Sequence, residues 1–137
     1  MTIATGYFAK AKAYHDMGYA LVNVALKRPW FLPDGLVLHE PYYKLAPTED
    51  ILKLKDSPKE YTERYRIEIL RFLSPWDVGI DFFRIGRKEN TDKVVMLCYE
   101  SPEKFCHRHV IAEWMHETMN IEVKEIETQA KEEGFLF

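Results

Sequence analysis

The chain has 137 residues, 47% apolar and 30% charged, with a formal net charge of -3. Compact domains run from ~50 to ~250 residues, so this is one domain with a sizeable core, and disordered, collagen-like and disulfide-scaffold classes are excluded. Mixed charge of this kind draws no polyphosphate globally, so any nucleic-acid contact must rest on a local basic cluster.

In chain order, Ile3 to Phe8 reads as a short strand interrupted at Gly6, and Ala9 to Met17 as a helix closed by Gly18. Tyr19 to Leu26 is almost continuously apolar with β-branched residues, the pattern of a strand covered on both faces. From Lys27 to about Pro47 the prolines Pro29 and Pro33 and Gly35 predict a long loop, of the kind that often carries function. Thr48 opens a short helix toward Leu54. Ser57-Pro58 and Ser74-Pro75 each place a cap residue before proline at the first helical position, predicting helices to Leu73 and to about Gly86. In the first of these, Tyr61, Tyr65, Ile69 and Phe72 recur at helical spacing, a core stripe. Lys93 to Tyr99 is the clearest buried strand. Ser101-Pro102 predicts a helix running to about Met119, and Ile121 to Ile126 alternates as an edge strand. The charge run from Glu122 to Glu133 reads as a solvated edge and tail.

Strands alternating with helices imply parallel pairing and right-handed crossovers. The expected fold is therefore one α/β domain over residues 1–137, a small three-layer unit with a mainly parallel sheet of about four strands. Ligands in such sheets bind beyond the carboxyl ends of the strands. Here those ends are Thr5-Gly6-Tyr7, Lys27-Arg28 and Cys98-Tyr99-Glu100.

The segment after the last central strand holds the chemistry. With a helix from Ser101, Cys106, His107 and Arg108 fall in its second turn, over the same sheet edge as Cys98. His107 then faces inward with Val110, Ile111, Trp114 and Met115, and His109 faces outward. An imidazole beside a thiol near a helix N-terminus can activate a cysteine nucleophile. The plainer reading makes Cys98 a small core residue and His107 a core histidine bonded to a loop carbonyl. A cysteine phosphatase is disfavoured, because Lys104 stands where the arginine six residues after the nucleophile belongs, and Glu100 and Glu103 repel phosphate. Zinc has suitable donors in Cys98, Cys106, His107 and His109, but neighbours on a helix diverge by ~100° and should not converge on one ion, so no metal is assigned. A Cys98 to Cys106 disulfide is sterically conceivable, yet disfavoured in a reducing compartment.

Lys27-Arg28-Pro29-Trp30, with Tyr42 and Tyr43 beyond, mixes cations and aromatics as phosphate-plus-base sites do, or else folds its rings onto the core. The Thr5-Gly6-Tyr7 amides are a further, weak candidate for an anion. No secretory leader or apolar stretch of membrane-spanning length is read, so the expected setting is cytoplasmic, with no membrane partner.

The segment KVVMLCYESPEKFCHRHVIAEW resembles the signature of domain-of-unknown-function family 488, a buried strand ending in cysteine and glutamate followed by a Cys-His-Arg triplet. TIATGYF, YYKLAP at Tyr42 to Pro47 and the Tyr61 to Leu70 helix are similar to corresponding parts of that family, so the likeness spans most of the chain. Members often carry an aspartate and arginine after the second strand, where this chain has Lys27 and Arg28 without an acid. The resemblance implies a small α/β fold and a polar site at Cys98, Glu100, Cys106, His107 and Arg108.

Two functional classes follow. In the first, the strand ends form a pocket for a phosphate-bearing ligand, a nucleotide or nucleic-acid end. There Thr5, Gly6, Tyr7, Lys27, Arg28 and Tyr43 would bind, Cys98 or Cys106 would be the nucleophile, His107 the base, Glu100 a proton-transferring or orienting carboxylate, and Arg28 and Arg108 an anion clamp, with no cofactor. In the second, a non-enzymatic protein docks a macromolecular partner, a protein included, through its aromatic loop from Trp30 to Tyr43.

Overall fold

A computed structural model describes residues 1–39 and 41–128. The elements are strand β1 (Thr2–Tyr7), helix α1 (Ala11–Asp16), strands β2 (Ala20–Asn23) and β3 (Leu38–His39), helices α2 (Glu49–Leu52), α3 (Pro58–Glu68) and α4 (Pro75–Lys88), strand β4 (Lys93–Cys98), helix α5 (His107–Met119) and strand β5 (Lys124–Glu125). All pairings are parallel, in the order β3-β2-β4-β1-β5. The α/β expectation holds, and the sheet has five strands. The added one is β3, where Leu21 and Val22 pair with Leu38 and His39 inside the segment expected to be loop.

Strand alternation divides the core between the two faces of the sheet. Val22, Val94 and Met96 pack with Tyr61 and Tyr65 of α3, Phe82 of α4 and Ile111 of α5. Leu21, Val95 and Leu97 point the other way, onto Phe8, Ala11 and Tyr14. Three layers result. No helix among the described residues is long and apolar enough to cross a membrane.

Local signals set most boundaries. Thr48 Oγ1 accepts from the Ile51 amide at the start of α2, and Ser74 Oγ accepts from Asp77 N at the start of α4, with Pro75 in the first turn. Four expectations are corrected. The strand expected to reach Leu26 stops at Asn23, whose side chain accepts from the Ala25 amide at 2.8 Å and bends the chain out of the sheet. The helix from Ser57 ends at Glu68 and gives way to a 3-10 turn, Leu70–Phe72, which leaves Phe72 71% exposed instead of in the core. The helix expected from Ser101 begins only at His107, because Ser101 Oγ donates to Glu103 within a turn instead of capping a helix. The charge run is not uniformly solvated, since Glu125 is held in a polar cluster described below; its residues 129–133 lie outside the described residues, as does the rest of the expected tail.

Candidate functional site

The parallel register brings the ends of β2 and β4 side by side, Asn23 opposite Leu97. Beyond them lies a cleft of about 530 Å³, within the range of small-molecule sites. Ala25 to Lys27 form one wall and Cys98 to Glu100 another; Lys55, Asp56 and Tyr61 close it from the side of α2 and α3, and Lys104 to His107 complete it. The Tyr99 hydroxyl donates to the Lys27 carbonyl at 3.0 Å, tying the two strand ends together.

Cys98, Cys106 and His107 form a buried edge of this cleft. Cys98 and Cys106 are joined by a disulfide, the outcome disfavoured from sequence, so neither is a free thiol in this state. A cysteine nucleophile at this site therefore requires prior reduction. The late helix start also changes the local geometry. Cys106 is the residue before α5, in an extended conformation with φ -152° and ψ 147°, so it does not diverge from His107 as two helical neighbours would. Its sulfur lies 3.8 Å from His107 Nδ1.

His107 Nε2 lies 2.7 Å from the Val24 carbonyl oxygen, which only accepts, so Nε2 carries the proton and Nδ1 the lone pair. Burial is the main reason that the imidazole pKa is pushed down to about 4, and the ring is neutral near pH 7. The plain reading of His107 as a core histidine bonded to a loop carbonyl describes Nε2, while Nδ1 remains turned to sulfur.

Arg108 does not enter the cleft. Its guanidinium is fully buried, bonded through Nε and Nη2 to Glu125 at 3.0 and 2.9 Å and through Nη1 to the Cys98 sulfur at 3.0 Å. Glu125 also accepts from the Thr5 hydroxyl at 2.6 Å and from His109 Nε2 at 3.2 Å. Burial pushes the Glu125 carboxyl up, but hydrogen bonds from His109, Arg108 and Thr5 outweigh it and hold the pKa at about 2. This pairing removes Arg108 from the expected anion clamp, since it is fully buried and each of its three nitrogens is already engaged with Glu125 or the Cys98 sulfur.

The end of β1 is also not an anion cradle. The Tyr7 amide donates to the Tyr14 hydroxyl at 3.2 Å, and Gly6 lies against the Tyr14 ring, where an added Cβ would come within 2.4 Å of a ring carbon. Tyr7 instead borders a separate hollow whose charged lining is Lys10, Glu103, Glu127 and the Arg108-paired Glu125. Of the remaining expected ligands, Lys27 and Glu100 border the main cleft, whereas Arg28 and Tyr43 do not; both are exposed.

Sequence reasoning missed Lys55, Asp56, Phe105 and Glu125 as site residues. Only Glu125 left a signal: in the alternation from Ile121 it falls on the apolar phase with Val123, where an acid needs a partner. The other three reach the cleft through tertiary placement.

A family model designated DUF488-N3a and described as "Active DUF488-N3 subclade" matches residues 13–119. No curated protein and no solved structure matched the chain.

Proposed function

Starting from the finding that this chain belongs to the DUF488 family, in the subclade its matching model describes as active, we propose that the cleft binds a phosphate-bearing ligand with an aromatic group, a nucleotide or nucleic-acid end. The carrying observation is the composition of the rim: Lys27, Lys55 and Lys104 outnumber Asp56 and Glu100, while Tyr99 and Phe105 offer ring surfaces. Cations position phosphate and rings stack on bases, so both halves of such a ligand find a partner. Lys55, Lys104 and Lys27 take the role first expected of Arg108.

Chemistry at the cleft begins with reduction of the Cys98–Cys106 bond. Cys106 then stands at the N-terminus of α5, which favours its thiolate, with the unprotonated Nδ1 of His107 beside it as a hydrogen-bond acceptor for the thiol. Cys98 is assisted by the Arg108 donor instead. Glu100 borders the same space as a carboxylate for proton transfer.

Thermal-shift titration of nucleotides and short oligonucleotides tests the binding reading, since a ligand that prefers the folded chain raises its midpoint. A shift that shrinks in Lys55→Ala and Lys104→Ala is expected; no shift with any phosphate compound overturns it. For the chemistry, iodoacetamide labelling of the reduced protein across about pH 5 to about pH 9 should run faster than a model thiol and slow in His107→Ala. A rate equal to the model thiol and indifferent to that substitution removes the nucleophile.

A second reading has one observation in its favour. Trp30 is 93% exposed and meets its neighbour Phe31 edge-on, so this part of the aromatic loop is not folded onto the core. A macromolecular partner docking there would bury Trp30, and Trp30→Ala would then abolish capture of that partner without altering nucleotide binding.

A further inference from the structure

We propose that, once the Cys98–Cys106 bond is reduced, the two sulfurs and His107 Nδ1 form a three-ligand site for a thiophilic divalent ion, zinc above all, whose fourth position opens onto the cleft. The inference shares residues with the reading above but does not rest on it, because nothing in it depends on a phosphate ligand.

In the oxidised protein the donor atoms of Cys98, Cys106 and His107 all lie within 4.8 Å of one another, so once the bond is cleaved the two sulfurs need only part to about 3.8 Å to share a tetrahedral ion. The Cys106 sulfur and His107 Nδ1 are 3.8 Å apart, and a tetrahedral zinc with bonds of ~2.3 Å to sulfur and ~2.0 Å to nitrogen holds such a pair about 3.5 Å apart. Divergence along a helix, which argued against zinc from sequence, does not apply to this pair, because Cys106 precedes α5 in extended conformation. It does apply to His109, which turns to Glu125 and is not a ligand.

The imidazole is already set for coordination. A ligating histidine characteristically donates its other ring N–H to a carbonyl or carboxylate, which fixes both tautomer and orientation. His107 does this through Nε2 to Val24, leaving the Nδ1 lone pair toward sulfur. Arg108 supplies the corresponding outer contact to the Cys98 sulfur, and Glu125 balances its charge. Two thiolates and a divalent ion then form a neutral unit, which a buried location tolerates far better than two bare thiolates.

The balance of the steps is simple. A dithiol such as dithiothreitol reduces the disulfide to two thiols and is itself oxidised to a cyclic disulfide. The ion then displaces one proton from each thiol to solvent. A disulfide oxidant reverses both steps, rejoining the sulfurs and releasing the ion. Three protein ligands with space beside them are the arrangement of catalytic zinc sites, in which the fourth position takes water or substrate.

Cobalt(II) is the probe. Wild-type protein, reduced with dithiothreitol and desalted without oxygen, should bind one cobalt ion, giving thiolate-to-metal charge-transfer absorption and the intense visible bands of a four-coordinate ion, both erased by one equivalent of zinc. The oxidised protein should show neither. Cys98→Ser and Cys106→Ser, checked for fold by circular dichroism, should lose the charge-transfer band in large part, and His107→Ala should weaken uptake at least tenfold. Because His107→Ala also removes the bond to Val24, the comparison of reduced with oxidised wild type decides without any substitution. Absence of cobalt bands in the fully reduced protein, or uptake unchanged in the double cysteine variant, overturns the proposal. No phosphate compound is present, so either outcome is separate from that of the nucleotide titration.

Discussion

Arg108 donates from Nη1 to the Cys98 sulfur at 3.0 Å, from a guanidinium with no exposure to solvent. The same group clasps Glu125 with its other two nitrogens, so the end of β4, the first turn of α5 and β5 are joined through one side chain. That places a fixed positive charge against whichever form Cys98 takes.

Removing this charge should be costly. Arg108→Ala leaves the partly buried Glu125 carboxylate without its two guanidinium hydrogen bonds, and breaking such a pair costs about 3–5 kcal/mol. Urea denaturation should show that loss, and Arg108→Ala with Glu125→Gln should lose less than the sum of the two single changes. Strict additivity would mean that the pair contributes no coupling.

Acid should act through the same carboxylate. Glu125 stays ionised in the folded chain down to about pH 2, whereas a free glutamate protonates near 4.5. The unfolded chain therefore binds more protons in between, and the stability from Glu125, fully present above 4.5, is lost as pH falls through about 2. Urea midpoints recorded from about pH 6 to about pH 2.5 should decline in the wild type, and the decline should be shallower in Glu125→Gln.

Two glycines of α4 should respond oppositely to alanine. At Gly86 an added Cβ would lie 2.6 Å from the Thr91 carbonyl oxygen, which is backbone and cannot turn aside, so Gly86→Ala should destabilise by about 1–3 kcal/mol. At Gly79 nothing lies within 4 Å, and Gly79→Ala should stabilise by up to about 1 kcal/mol through helix propensity. Thermal melts should move in opposite directions.

Tyr65 supports the cleft from behind. Its hydroxyl donates to the buried Leu45 carbonyl at 2.6 Å, and its ring lies 5.4 Å from that of His107. Tyr65→Phe keeps the ring and removes the donor, which should cost about 1–3 kcal/mol in denaturation while leaving reduced-state cobalt uptake unchanged. Loss of uptake in this variant would show that His107 depends on the hydroxyl for its position.

The legible parts were those with signals confined to a few neighbouring residues. Lys93 to Cys98 announced a buried strand by its unbroken apolar run, and Thr48 and Ser74 announced helices by their caps. Ser101-Pro102 carried the same start signal and misled, because the serine hydroxyl found Glu103 first. That competition moved the start of α5 by several residues and changed what Cys106 and His107 can do together.

Sequence alone was enough to expect parallel α/β layers and to place Cys98, Cys106 and His107 close together at a strand end, since burial patterns and caps are written along the chain. Tertiary structure decided the partners. Arg108 was withdrawn by Glu125, seventeen positions away, and Lys55 and Lys104 were brought to the rim from separate segments. Charges choose partners by distance in space, and that distance is set only when the crossovers close the sheet.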